Sequence, residues 1–575
     1  MCGISGYFSR SPLPQKKIDC LREGIRRRGT DNFGETENFV PAIAFSALYH
    51  ARLSIIDLTS ASNQPFSKKG SRNKLVYNGE VYNYRELRRE LSANFGVKFE
   101  TDGDTEVIYE GLRCLGKNFI EMISGEFAFC FLDLDAERVL LSRDSFGKKP
   151  LSYVAEDDAF LFSSNEKSLG KLEFGIDQFN AFCTLGYIPE RMPLFSGVNI
   201  LDPGGIIEVD LKTLKPRIIK DKSTKPTETD IRQSVRGSIY RQMTADVPVG
   251  VFLSGGFDST LVAAVASEKS HPLHAFSFIS DDVNSEEQII DDWLSARGNN
   301  FKVDKVHSSD INLPNELELV LPNLYRPTAD SSIVPTNVLS RTAFNNGVKV
   351  VLSGLGGDEI FCGYNRYYNR RLISKFNFSS LRSLAIVTQN FRTYRLSSRD
   401  VDLAISAFID TSYFKNMSDK NKIKICERLD AFIRKPGSIG GLRYLMQSDL
   451  NNYTVDLLHR QYDVISLMNN VEMRSPLLDS AVHQSLNNLS DQHFIKGGRM
   501  KSIQAEMFRN CFTSAQLAAK KQGFSGPIKQ WVEKYKDFFD FHSSQGYVNY
   551  HFGASPTNAN DKWVYTCLNI WLSQF

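Results

Sequence analysis

The chain has 575 residues, with 69 Lys and Arg against 66 Asp and Glu for a net charge of +3, and 42% of it is hydrophobic. That composition supports sizeable cores in two to four domains and gives no electrostatic case for a nucleic-acid or membrane-surface partner. No run approaches 18 apolar residues, and the nine cysteines are scattered without a CxxC pair, which argues against a membrane span, a disulfide framework or a structural zinc site.

Met1-Cys2-Gly3 opens the sequence without the basic start and apolar stretch of a signal peptide, so the expected compartment is a reducing cytoplasm. With Met1 removed, Cys2 would carry both a thiol and a free α-amine, and the amine can serve as base for its own side chain. Arg52, in Arg52-Leu53-Ser54-Ile55-Ile56-Asp57, offers a planar fork suited to a carboxylate. Leu75-Val76-Tyr77 reads as a strand running into the turn pair Asn78-Gly79. The same two residues can aim a side-chain amide and a backbone N–H at a developing oxyanion. Helices are expected over 83–91 and 105–115. Asp104 is then either the cap of the second helix or a partner for an ammonium group. The apolar runs 126–132 and 138–143 predict a buried hairpin.

Asp202-Pro203-Gly204-Gly205 is turn chemistry, and 221–227 is polar and charged. Beyond it the pattern becomes apolar strand, glycine turn, helix. The run 247–253 leads into Ser254-Gly255-Gly256-Phe257-Asp258-Ser259 and a helix over 259–267. A second run, 348–352, leads into Ser353-Gly354-Leu355-Gly356-Gly357-Asp358-Glu359. Strands alternating with helices predict a parallel sheet. The glycines let the backbone approach an anion at a helix start, and Asp258 supplies a carboxylate for Mg²⁺ among phosphates. No Walker A pattern occurs. At the end of the chain, Trp563, Val564, Cys567, Leu568, Trp571, Leu572 and Phe575 fall on one helical stripe, read as packing.

Met-Cys-Gly-Ile-Ser-Gly at the start, Arg-Leu-Ser-Ile-Ile-Asp, Tyr77-Asn78-Gly79-Glu80-Val81-Tyr82-Asn83 and Arg143-Asp144-Ser145-Phe146-Gly147-Lys148-Lys149-Pro150 resemble the glutaminase domain of class II glutamine amidotransferases. With the second half, the resemblance narrows to the glutamine-hydrolysing asparagine synthetase family and runs from Met1 to about Trp531. It implies an N-terminal antiparallel α+β sandwich of the N-terminal-nucleophile type over 1–205, a linker over 206–228, and a parallel α/β ATP-pyrophosphatase-type domain over 229–575. It implies Cys2 as nucleophile, Asn78 and Gly79 as oxyanion hole, and a glutamine pocket of Arg52, Leu53, Ser54, Ile55, Ile56, Asn78, Gly79, Glu80 and Asp104. For ATP it implies Leu253, Ser254, Gly255, Gly256, Asp258, Ser259, Phe278, Ser353, Gly354 and Lys521. Asp258 and Asp358 are the implied Mg²⁺ ligands. The implied products of ATP are AMP and pyrophosphate, with ammonia passing inside the protein from one site to the other. The implied partners are glutamine, ATP and a carboxylate acceptor, foremost aspartate, with a homodimer left open.

Two departures from the family pattern stand out. In Arg28-Gly29-Thr30-Asp31 the family usually has Pro where Thr30 stands, and it normally carries Asp or Glu at the position of Leu355. A carboxylate there can take protons as ammonia attacks the acyl-adenylate, and leucine cannot. Glu359 or Glu286 could cover that role, ammonia could need no such help, or the acceptor is not aspartate. The alternatives to asparagine synthesis are amidation of another carboxylate, such as a uronic acid in a surface polysaccharide or an acid in a specialised metabolite, and a non-catalytic glutamine or ATP sensor. Asp449, Asp463 and the stretch Glu472-Met473-Arg474-Ser475-Pro476 are read as architectural, with their charges paired.

Overall fold

The computed structural model describes residues 2–41, 43–220, 230–281, 287–365, 367, 419–436, 441–487, 489–518, 526–544, 546–553 and 555–575. Lys521, Glu286 and the whole polar stretch 221–229 lie outside them.

The first half is built from β1 (Gly3–Ser9), β2 (Asn32–Glu37), β3 (Phe45–Arg52), β4 (Lys74–Val81), β5 (Gly125–Asp133), β6 (Arg138–Arg143), β7 (Ser152–Ala155), β8 (Ala159–Ser163), β9 (Asn199–Ile200), β10 (Gly205–Asp210) and β11 (Pro216–Lys220). They form two antiparallel sheets, in the orders β2-β3-β1-β8-β7-β9 and β11-β10-β6-β5-β4. Both sheets contribute to one core, in which Ile4, Phe8, Leu48 and Phe162 meet Val76, Cys130, Leu132 and Leu141. Phe127, Phe129 and Phe131 point the other way, under the helix Asp104–Leu115. Burial on both faces is why this run is continuously apolar rather than alternating. The expected hairpin is therefore β5–β6.

Two local expectations are corrected. Asn78 and Gly79 do not end a strand in a turn, because β4 runs through them to Val81 and they pair with Ala128 and Phe127 of β5. The span expected to begin the linker instead holds β10 and β11, which extend the second sheet, so the first half reaches at least Lys220. The apolar run 179–195 also leaves its own half. Phe179, Phe182, Leu185 and Ile188 are buried in a core shared with Trp563, Leu568 and Trp571. The closing helix Ala559–Leu572 is buried on nearly all sides rather than along one stripe, and Phe575 beyond it is exposed.

The second half holds a parallel sheet of β12 (Val249–Phe252), β13 (Leu273–Ile279), β14 (Phe301–His307), β15 (Val350–Leu352) and β16 (Glu472–Arg474), ordered β14-β13-β12-β15-β16. The chain builds outward from β12 to β14, then crosses back to lay β15 on the other side of β12. That reversal between β12 and β15 opens a crevice at the carboxyl ends of the strands, where α/β sheets bind ligands. Both glycine loops lie there. No helix among the described residues is long and apolar enough to cross a membrane.

Candidate active site

Two constellations stand out, one at the start of β1 and one at the β12–β15 crevice. Cys2 is buried beside β3 and β4, and its nitrogen donates to Asn78 Oδ1 at 3.0 Å. That bond fixes the orientation of the Asn78 amide and leaves its Nδ2 buried with no partner. A buried unpaired donor costs roughly 1–3 kcal/mol, so it marks a place where an acceptor is expected to arrive. Gly79 follows with φ at +145°, and a Cβ there would lie 2.0 Å from the Glu126 carbonyl oxygen. Only glycine lets β4 pass so close to β5 at this point. Burial pushes the Cys2 thiol up, opposed by a hydrogen bond from the Leu53 backbone and the charge of Arg52. His50, on β3, is pushed by burial down to about 3 and spends one ring nitrogen on the Tyr77 carbonyl at 3.1 Å, so it is a poor base for that thiol.

Arg52 is not a loose fork. Its Nη1 donates to the Thr59 carbonyl and to Asn63 Oδ1, both at 2.8 Å, and its Nη2 reaches the Ile56 and Asp57 carbonyls. The guanidinium thereby folds 53–59 into a closed loop, with Leu53, Ile55 and Ile56 buried and the Ser54 N–H held by Asp31 at 2.7 Å. Asp104 does not cap its helix, since Gly103 occupies that position. Instead its Oδ2 accepts from Tyr77 Oη at 2.9 Å and the Val81 N–H at 3.0 Å. Burial raises its carboxyl despite those bonds. Glu80 is buried 3.6 Å from Arg474, with one oxygen unbonded. Burial and the neighbouring Glu472 push it well up. The expected residues of the first half thus share one buried corner.

At the crevice, Ser259 Oγ ties the first glycine loop, accepting from the Ser254 N–H at 3.0 Å and meeting Ser254 Oγ at 2.8 Å. The helix Phe257–Ala266 starts immediately after Gly256, with its unpaired N–H groups facing the loop. The second loop is anchored by Ser353, whose N–H and Oγ both donate to the Arg474 carbonyl, at 2.9 and 3.0 Å. The loops touch: a Cβ on Gly354 would stand 2.5 Å from the Ser259 nitrogen, and one on Gly357 would stand 2.2 Å from the Asp258 carboxyl. This contact brings Asp258 and Asp358 to one point. There Lys501 Nζ bonds Asp258 and lies 2.6 Å from Asp358, while Gln504 donates to Asp258 at 3.0 Å. Burial raises Asp258 and Lys501 opposes it, while the two carboxylates hold the Lys501 ammonium well above its ordinary range against burial.

Lys501 was not singled out in the sequence, where it is one basic residue in Gly497-Gly498-Arg499-Met500-Lys501. Its backbone is in the left-handed region at φ +54°, a strained setting for a lysine that sequence spacing does not reveal. Two convergent carboxylates, without a third ligand of the His, Cys, Asp or Glu type among the described residues, suit a Mg²⁺ that completes its shell with phosphate and water oxygens. Leu253 and Phe278 are buried in the cores on either side of the sheet. Leu355 is half-buried and packs against both of those cores. The Glu359 carboxyl is buried, accepts from Tyr364 Oη at 2.9 Å and Thr454 Oγ1 at 3.1 Å, and is raised to about 7 by burial and by Asp358.

Of the segment read as architectural, Asp463, Glu472 and Arg474 are in ion pairs. Asp463 binds Arg28 at 2.7 Å, and Glu472 binds Arg474 at 2.6 Å.

The model of the asparagine synthase family matches residues 230–549, and that of the glutamine amidotransferase domain matches residues 1–218. Among curated proteins, asparagine synthetase (glutamine-hydrolyzing) 1 of Bacillus subtilis is 28% identical over 566 residues, covering 93% of this chain and 88% of its own. A putative asparagine synthetase (glutamine-hydrolyzing) of Mycobacterium bovis is 27% identical, covering 88% of this chain and 83% of its own. Among solved structures, a glutamine phosphoribosylpyrophosphate amidotransferase from B. subtilis aligns at 13% identity over 61% of this chain and 81% of its own, with a TM-score of 0.29, at which the likeness carries no argument.

Proposed function

The chain belongs to the asparagine synthase family and is a glutamine-hydrolysing, asparagine-synthetase-like ligase, and we propose that it converts aspartate to asparagine through the following division of labour. Residues 1–220 form the glutaminase unit and residues 230–575 the synthetase unit. Cys2, freed of Met1, attacks the side-chain amide of glutamine, with its own α-amine taking the thiol proton. The oxyanion falls to the unpaired Asn78 Nδ2 and the Gly79 N–H, and ammonia leaves as the thioester forms. Water then releases glutamate. Asp104 and Glu80 face the ammonium of the bound amino acid, while Arg52 shapes the 53–59 wall and presents its charge to the carboxylate.

In the crevice, the loops 254–259 and 353–358 receive the phosphates of ATP, with Leu253 and Phe278 beside the adenine. Bound there, Mg²⁺ would neutralise phosphate charge between Asp258 and Asp358. The acceptor carboxylate displaces pyrophosphate to form an acyl-adenylate. Ammonia, carried inside the protein where it is shielded from protonation, then displaces AMP. Lys501 supplies a fixed positive charge at the point where phosphate charge accumulates.

The observation that carries this reading is the Asn78 amide, with Oδ1 spent on Cys2 and Nδ2 left buried without a partner. The test is pyrophosphate release with glutamine, ATP, Mg²⁺ and aspartate, alongside the intact mass of the purified protein. Asparagine should form in step with pyrophosphate, and the mass should lack the first methionine. Methionine retained on fully active material would overturn Cys2 as an N-terminal nucleophile. Leu355 favours a second reading, in which a different carboxylate is the acceptor. Inertness to aspartate with release triggered by a sugar acid would select it.

A further inference from the structure

Residues 27–31 reach in two directions at once. Toward the second half, Arg27 bonds Asn323, Arg28 Nη1 donates to Tyr325 Oη at 3.0 Å and Nη2 to Asp463 at 2.7 Å, Thr30 donates to Asn470 at 2.8 Å, and Asp31 accepts from Lys349 at 3.0 Å. Toward the Cys2 corner, Arg28 Nε donates to the Cys2 carbonyl at 2.9 Å and Asp31 holds the Ser54 N–H at 2.7 Å. Gly29 lies flat between the two. A Cβ on it would stand 2.3 Å from the Arg52 carbonyl carbon and 2.6 Å from the Leu53 nitrogen. Arg28, Tyr325 and Asp463 are all buried, so no water competes for the fork. A guanidinium has donors enough for three such partners in one plane, which an ammonium cannot match.

The partners of Arg28 are not arbitrary points on the second half. Tyr325 directly precedes Arg326, which is locked to Glu166, and it opens the 326–332 segment on the acceptor side. Asp463 sits on the helix Arg460–Met468, two residues beyond Gln461, whose amide holds Asp330 of that same segment at 2.7 Å. One side chain therefore joins the main chain of the nucleophile to two buried residues of the second half.

We propose that Arg28 is a positioning residue for glutamine cleavage, fixing the Cys2 backbone against Asn78 from anchors that belong to the synthetase half. That half thereby sets the turnover of the Cys2 thiol. The idea rests on Cys2 being the nucleophile. Thr30, where the family usually has proline, adds its own tie to Asn470.

The test uses the full-length enzyme with Tyr325→Phe, which removes one anchor of Arg28 and almost no volume. Glutamine hydrolysis should lose about five-fold in kcat with KM for glutamine unchanged, since Arg52 and Asp104 keep their contacts, while pyrophosphate release driven by ammonium chloride stays within two-fold. Thr30→Val, at an exposed position, should move kcat the same way by about two-fold and keeps the question decidable should the first variant not fold. Unchanged kcat in a folded variant, or an equal fall in ammonium-driven release, would overturn the positioning role. Wild-type enzyme without glutaminase activity, or Cys2→Ala that retains it, would instead overturn the reading of Cys2 itself.

Discussion

The two sites solve the problem of waiting for substrate differently. At Cys2 three charged neighbours are already committed: Arg52 to main-chain carbonyls, Asp104 to Tyr77 and Val81, Arg28 to Cys2 itself. One amide donor is left over, on Asn78. At the glycine loops the carboxylates of Asp258 and Asp358 are instead closed on the Lys501 ammonium. The first site is preorganised for a small neutral amide and the charge that appears when it is attacked. The second is built from countercharges paired with one another, as suits a ligand that brings several negative charges and a cation with it.

The sharpest way to break this contrast is Cys2→Ala. Amide formation from glutamine should vanish, while synthesis from added ammonium salt and the accompanying pyrophosphate release persist within about two-fold. Loss of both together would mean the sites are not separable. Lys501→Met is the mirror experiment. Pyrophosphate release should fall about 10³-fold, because two carboxylates then face the phosphates uncompensated, and glutamine hydrolysis should continue. An unaffected rate of release would reduce Lys501 to a spacer. Asn78→Ala sharpens the first half. A fall of about 10²-fold in kcat for glutamine hydrolysis is expected for one oxyanion donor, and a change confined to KM would assign the amide to ground-state binding.

The same contrast explains what could be read from the chain. Cys2, Arg52, Asn78-Gly79 and the two glycine loops are legible because each is carried by a short local pattern with a chemical meaning. The parallel sheet was legible from its alternating strands and helices. Strand β4 running through Asn78-Gly79 was not, since a turn dipeptide and a glycine squeezed beneath β5 look alike until the partner strand is in place. Lys501 was hidden for a different reason. It meets Asp258 across 243 residues, and nothing in its own neighbourhood distinguishes it from a solvated lysine. The linker was misread from 206 because polar edge strands such as β11 share the composition of loops, a familiar weakness of reading strands by pattern.

A last, smaller effect concerns the seam that keeps the two sites in register. Glu190, from the first half, accepts both Nη atoms of Arg143 at 3.1 Å, Arg434 at 2.7 Å and Arg460 at 2.8 Å, the latter two from the second half. Burial alone would raise its carboxyl, but the three guanidiniums outweigh it and hold the group well below the ordinary carboxylate range. Because the folded state depresses this pKa, the stabilisation is complete above the ordinary carboxyl value of about 4.3 and is lost progressively as pH falls below it. Thermal unfolding should therefore shift downward as the buffer is taken below about pH 4.3, and Glu190→Gln should shallow that slope. At neutral pH the same variant should be less stable by about 3–5 kcal/mol, since it strands buried guanidiniums without their shared partner. Parallel pH profiles for the two proteins would mean that Glu190 does not carry the seam, and the register of the two sites would then rest on other ties, such as those of Arg28, Thr30 and Asp31.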